Sequence, residues 1–98
     1  MKIKQRGIAG TLESSDILVV VSPDDGNEVQ LMLQSKVEKQ YGAAIRQLVT
    51  ETLEKLGVTG VAVDVKDQGA LDCVIRARVQ AAVFRAAGEN KVNFEVVS

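Results

Sequence analysis

Between Ser35 and Gly57 the chain has a pattern that one kind of element satisfies. Val37, Tyr41, Ala44, Ile45, Leu48, Val49, Thr52, Leu53 and Leu56 recur at spacings of three and four, the period of a helix with one apolar face. Ser35 and Glu38 stand in the S-x-x-E arrangement of a capping box, and Gly57 where a left-handed glycine ends a helix. The spacing predicts about 20 helical residues, or about 30 Å at 1.5 Å per residue. Gly42 inside this stretch costs about 1 kcal/mol relative to alanine, and a close packing contact there would account for it.

What precedes this helix has the period of strands. Ile17-Leu18-Val19-Val20-Val21 is β-branched and apolar on both faces, as in a buried strand. Ser22-Pro23-Asp24-Asp25-Gly26-Asn27 is turn chemistry. Beyond it, Val29, Leu31 and Leu33 alternate with Glu28, Gln30 and Gln34, which predicts a half-buried strand and a hairpin between the two runs. Ile8, Gly10 and Leu12 alternate weakly, giving a first strand over about residues 7–13.

After the helix, Val61, Val63 and Val65 alternate within Thr59–Lys66, and Asp67-Gln68-Gly69 breaks the strand. Ala70 to Ala87 returns to helical spacing through Leu71, Val74, Ile75, Val79, Ala82, Val83 and Ala86. Val92, Phe94 and Val96 alternate in a tail that reads as a short edge strand or a frayed end. The order β-β-β-α-β-α predicts an α+β fold: a small, largely antiparallel sheet with two amphipathic helices packed on one face. Ninety-eight residues are read as a single domain, 1–98, large enough to bury a core without disulfide or metal.

Composition removes many functions. The chain has no histidine and one cysteine, Cys73. Metal sites of the Cys/His kind and His-based acid–base catalysis are therefore excluded. A net charge of −1, with Tyr41, Phe84 and Phe94 as the only aromatic residues, argues against nucleic acid, which favours a basic face and stacking platforms. The basic N-terminus is followed by no signal-peptide core, and the longest apolar run, Ile17–Val21, is too short to span a bilayer. The expectation is a cytoplasmic protein without membrane contact.

Few residues invite chemistry. Cys73 falls nearly opposite Leu71 and Ile75 on a helical wheel and has no base to activate it. Arg78 and Arg85 fall beside Leu71 and Ile75, at the edge of the apolar stripe, while Arg76 points away. Each either forms an ion pair, with Asp64, Asp67 or Asp72 as candidate partners, or offers its planar fork to a phosphate or carboxylate. Gly10-Thr11-Leu12-Glu13-Ser14-Ser15-Asp16 reads as an exposed turn, made acidic by Glu13 and Asp16, with two interchangeable serine hydroxyls. The residues alone describe a non-catalytic domain.

Three stretches together add more: Gly-Thr-Leu-Glu-Ser at 10–14, Val-Glu-Lys-Gln-Tyr-Gly at 37–42, and Gly-Ala-Leu-Asp-Cys-Val-Ile-Arg-Ala-Arg at 69–78. In this order and spacing they resemble the acyl carrier protein of citrate lyase, its gamma subunit, over roughly Met1 to Gly88. The resemblance implies a carrier that catalyses nothing itself. It implies that Ser14 bears a covalent phosphoribosyl dephospho-coenzyme A joined through a phosphodiester, whose thiol holds acetyl. A transferase would load the arm and a ligase acetylate it. The alpha subunit would then exchange acetyl for citryl, and the beta subunit release oxaloacetate. The alternative left by the residues alone is an interaction module with no covalent group. Arg78 or Arg85 would contact the phosphates of the arm or a partner subunit.

Overall fold

The alternation of apolar residues decides which way each strand faces. Ile17, Val19 and Val21 are fully buried, as are Val61, Val63 and Val65, while Leu18, Val20, Ala62, Asp64 and Lys66 between them are half-buried. The structure, a computed structural model, describes residues 1–88. Its elements are β1 (Gly7–Gly10), β2 (Ile17–Pro23), β3 (Val29–Ser35), α1 (Glu38–Lys55), β4 (Val61–Asp67) and α2 (Asp72–Ala86). This is the α+β order expected from the sequence. The alternation of Val92, Phe94 and Val96 lies outside the described residues.

The sheet runs β1-β2-β4-β3, with β1–β2 and β2–β4 antiparallel and β3–β4 parallel. Here the hairpin expectation fails. β2 and β3 do run in opposite directions, but β4 lies between them. Residues 24–28 make the connection, long enough to step over the roughly 10 Å between next-but-one strands. Asp24 N–H donates to the Gly60 carbonyl at 2.9 Å, tying that connection to the entry of β4. The first strand is also shorter than expected, because Gly10 turns the chain at φ +92°.

Both helices cover the face formed by Gly7, Ala9, the odd-numbered residues of β2 and β4, and Val29, Leu31 and Leu33. α2 packs on β1 and β2, and α1 packs on β3 and on α2. Packed against β1, β2 and α1, α2 is buried over a wider arc than one stripe. Phe84 and Gln80 are buried as well, whereas Leu71, counted in the stripe, is 71 % exposed just before the helix. The opposite sheet face is open, with Ile8 and Met32 exposed. No helix among the described residues is long and apolar enough to cross a membrane.

The ends of α1 divide the sequence expectations. At its C-terminus Gly57 is left-handed at φ +67°, its N–H donates to Glu54 O at 3.0 Å, and Val58 N–H donates to Leu53 O at 3.1 Å. That is the two-bond closure a C′ glycine permits. At its N-terminus the capping box does not form: Val37 is the N-cap and supplies no side-chain bond. The Ser35 hydroxyl instead donates to Asp67 Oδ2 at 2.8 Å and accepts from Val37 N–H at 3.1 Å. A buried carboxylate in the next strand takes the hydroxyl that the box would have used. Gly42 is not at a close approach between elements either; a Cβ there would meet Glu38 Cγ of the same helix at 3.0 Å. The glycine that packing requires is Gly7, where a Cβ would run into the Ala82 carbonyl oxygen of α2.

Candidate functional site

The connection between β1 and β2 is built around one carboxylate. Gly10 opens it, since a side chain there would strike the Ile17 carbonyl. Thr11 Oγ1 donates across the base of the loop to Asp16 Oδ2 at 2.6 Å and accepts from Glu13 N–H at 3.2 Å. Asp16 N–H donates to Glu13 O at 3.1 Å, closing a four-residue turn with Ser14 and Ser15 at its centre. Ser15 takes the left-handed conformation at φ 65°. Its N–H donates to Gln68 O, and Gln68 N–H returns to Asp16 O, each at 2.9 Å. The loop is thereby clipped to the end of β4 at Ser15 and Asp16. Ser14 and Ser15 are both exposed, but Ser14 stands outside that clip.

Arg78 reaches the loop from α2. Its Nε donates to Asp16 Oδ1 at 3.1 Å and its Nη2 to Asp16 Oδ2 at 3.0 Å. Asp16 Oδ1 also accepts from Ile17 N–H at 2.7 Å. The Thr11 hydroxyl first, then Arg78, then the Ile17 amide hold the Asp16 carboxyl at about 2, against an ordinary 3.8. The ion-pair partner of Arg78 is thus Asp16, not Asp64, Asp67 or Asp72. The loop is also less acidic than its sequence, because a guanidinium balances one of its two carboxylates. Arg85 behaves differently: its Nη1 donates to the Ile8 carbonyl at 2.6 Å, covering the free edge of β1.

The loop shares its end of the molecule with the start of both helices. A groove of about 610 Å³ there is lined by Tyr41, Ala44 and Ile45 of α1 and by Leu71, Cys73 and Ile75. Cys73 is exposed and lines the same groove as Leu71 and Ile75. The helical wheel set it opposite them, but the groove crosses the first turn of α2, where angular position separates residues poorly.

Two further residues shape this end. Thr11 had no visible partner until the loop closed on Asp16. Asp67 was read as a strand breaker, yet it is 1 % exposed, accepting from Ser35 Oγ and from Ala70 N–H at 3.0 Å. Its signal was present: it continues the phase of Val61, Val63 and Val65, which points it into the core.

Comparison with known proteins bears on the chain as a whole. The family model described as "Malonate decarboxylase delta subunit (MdcD)", an acyl carrier protein model, matches residues 4–86, a span that contains Ser14, Arg78 and Arg85. The citrate lyase acyl carrier protein of Streptococcus equi subsp. zooepidemicus is 50 % identical over 97 residues, covering 99 % of this chain and 95 % of that relative. The chain belongs to the citrate lyase acyl carrier protein family. Citrate lyase acyl carrier protein 2 of Salmonella paratyphi A is 48 % identical over 97 residues, covering 99 % of this chain and all of that relative. Among solved structures, a chain from a Pseudomonas malonate decarboxylase hetero-tetramer in complex with malonate matches with a TM-score of 0.71 at 19 % identity, over 88 % of this chain and 92 % of that one. At that identity the likeness concerns the fold. The family resemblance seen in the three sequence stretches therefore extends over nearly the whole chain.

Proposed function

We propose that this protein is the acyl carrier subunit of a citrate lyase and that Ser14 is the attachment point of its prosthetic arm. The observation that carries this reading is the exposed Ser14 hydroxyl at the corner of a braced turn, in a chain 50 % identical to a citrate lyase acyl carrier protein. An acceptor serine modified by another enzyme needs access, and the loop supplies it on a rigid base.

The residues present fit a phosphodiester-linked arm. Ser14 offers an exposed hydroxyl at the corner of the turn, and Arg78, with its side chain 40 % exposed, keeps a cationic face toward solvent at the same loop. The phosphoribosyl dephospho-coenzyme A arm, when bound, supplies a thiol that holds the acyl group as a thioester. In loading, Ser14 Oγ forms a bond to phosphorus of an activated phosphoric anhydride on the incoming donor. The anhydride P–O bond breaks with its electron pair leaving on the departing phosphate, and the hydroxyl proton passes to the transferase or to water. Arg78 is the arginine placed to meet a phosphate of the attached arm or a partner surface. Arg85, two helical turns along α2, stands at the β1 edge and is the better placed for a partner subunit. In this reading the protein performs no catalysis; it serves the alpha subunit, the beta subunit and the loading enzymes in turn.

Intact-mass spectrometry of the protein made beside its transferase and ligase tests the proposal. A mass increment of prosthetic-group size is expected for the wild type and for Ser15→Ala, and none for Ser14→Ala. An unmodified wild type, or an adduct that survives Ser14→Ala, would refute it and favour an interaction module without a covalent group.

A further inference from the structure

Two serines of the same chemistry stand side by side and exposed in the acceptor loop, so reactivity alone does not choose between them. The hydrogen bonds of the loop do distinguish them. Ser15 is held by its own backbone, left-handed at φ 65° and bonded through its N–H to Gln68 O at 2.9 Å. Ser14 precedes this clip and occupies the first corner of the turn. The clip is itself fixed by Asp16, which receives Thr11 from across the loop, Ile17 from the strand and Arg78 from α2. Without those side-chain bonds, Asp16 would keep only its backbone bonds to Glu13 and Gln68.

We infer that Thr11, Asp16 and Arg78 are positioning residues that select Ser14 over Ser15 as the site of modification. The inference rests on the carrier reading above and adds to it a cause for site choice. In-line displacement at phosphorus needs the attacking hydroxyl on a narrow approach, so a loop that presents one oxygen and turns the other aside sets the ratio of products. None of the three residues touches the reacting phosphorus in this scheme. They act through the backbone of the turn.

The test uses the apo-protein with its prosthetic-group transferase and activated arm donor, and maps the adduct by peptide mass spectrometry. Asp16→Asn keeps the size and the Ile17 bond but loses the ion pair; Thr11→Val removes the cross-loop bond to Asp16 together with the Glu13 N–H bond to the same hydroxyl. Circular dichroism at the loading temperature verifies that each variant is folded. Wild type is expected to be loaded at Ser14 alone. Either variant is expected to gain a measurable Ser15 adduct that wild type lacks, with a matching loss from the Ser14 share. Hydrogen exchange at the Ser15 amide should quicken in the same variants, with no arm present. Variants loaded at Ser14 alone, as wild type is, would overturn the inference at any rate of loading while leaving the carrier reading in place. A wild type loaded at neither serine would overturn both.

Discussion

Arg78 and Asp16 meet in a forked ion pair, Nε to Oδ1 at 3.1 Å and Nη2 to Oδ2 at 3.0 Å, which joins the second turn of α2 to the loop bearing Ser14. Because Asp16 is held at about 2 in the folded protein, the unfolded chain takes up that proton at higher pH than the folded one. The resulting stabilisation is complete above about pH 4 and fades as pH falls toward 2. Thermal unfolding followed by circular dichroism between about pH 5 and pH 2.5 should show a steeper fall for wild type than for Asp16→Asn. At neutral pH, Asp16→Ala is expected to cost about 1–3 kcal/mol, the range for removing a charged hydrogen-bond acceptor.

Gly10 is bound to its identity by geometry. It sits at φ +92° with no room for a Cβ beside the Ile17 carbonyl. Gly10→Ala should lower stability by about 1–3 kcal/mol from backbone strain alone, read as a reduced denaturation midpoint in urea. The loop should also lose protection at the Ser15 amide, because the base on which the turn rests has moved.

Asp67 is expected to behave as a core residue. Replacing it with alanine leaves the Ser35 hydroxyl and the Ala70 N–H without their partner, a cost of about 1–3 kcal/mol. Asp67→Asn retains an acceptor for Ala70 and should cost less. Chemical denaturation of the two variants against wild type orders them.

Gly42→Ala should have the opposite sign. The nearest atom to a new Cβ is Glu38 Cγ at 3.0 Å, on an exposed side chain that can swing away. Alanine in a helix interior is worth about 0.5–1 kcal/mol over glycine, so the melting temperature should rise. A fall would show that Glu38 is held more firmly than its exposure suggests.

The element order was legible because period-2 and period-3.6 patterns are local, and Gly57 ends α1 as its position in the sequence predicts. Strand order was not, because Val29, Leu31 and Leu33 face the same core whether their neighbour is β2 or β4. The S-x-x-E signal at Ser35 misled for a related reason: its hydroxyl was claimed by Asp67, thirty-two residues away. In the site, Gly10–Asp16 is legible as a turn, and Arg78 stands out by its place at the edge of an apolar stripe. Its partner is not legible, since sixty-two residues separate Arg78 from Asp16 and no local rule spans that distance.

The central place of β4 has a consequence for how the chain acquires its shape during synthesis. β2 and β3 leave the ribosome before the strand that lies between them. Until Val61–Asp67 emerges, β3 has no neighbour to bond, and β2 has only the four residues of β1. The β-branched run Ile17–Val21 therefore waits, partly uncovered, for a strand made some forty residues later. Long-range pairing of this kind is slow and leaves sticky edges exposed in the meantime. The Ser14 loop, clipped to Gln68 and paired through Asp16 with Arg78, therefore takes its shape only after those later residues have been made.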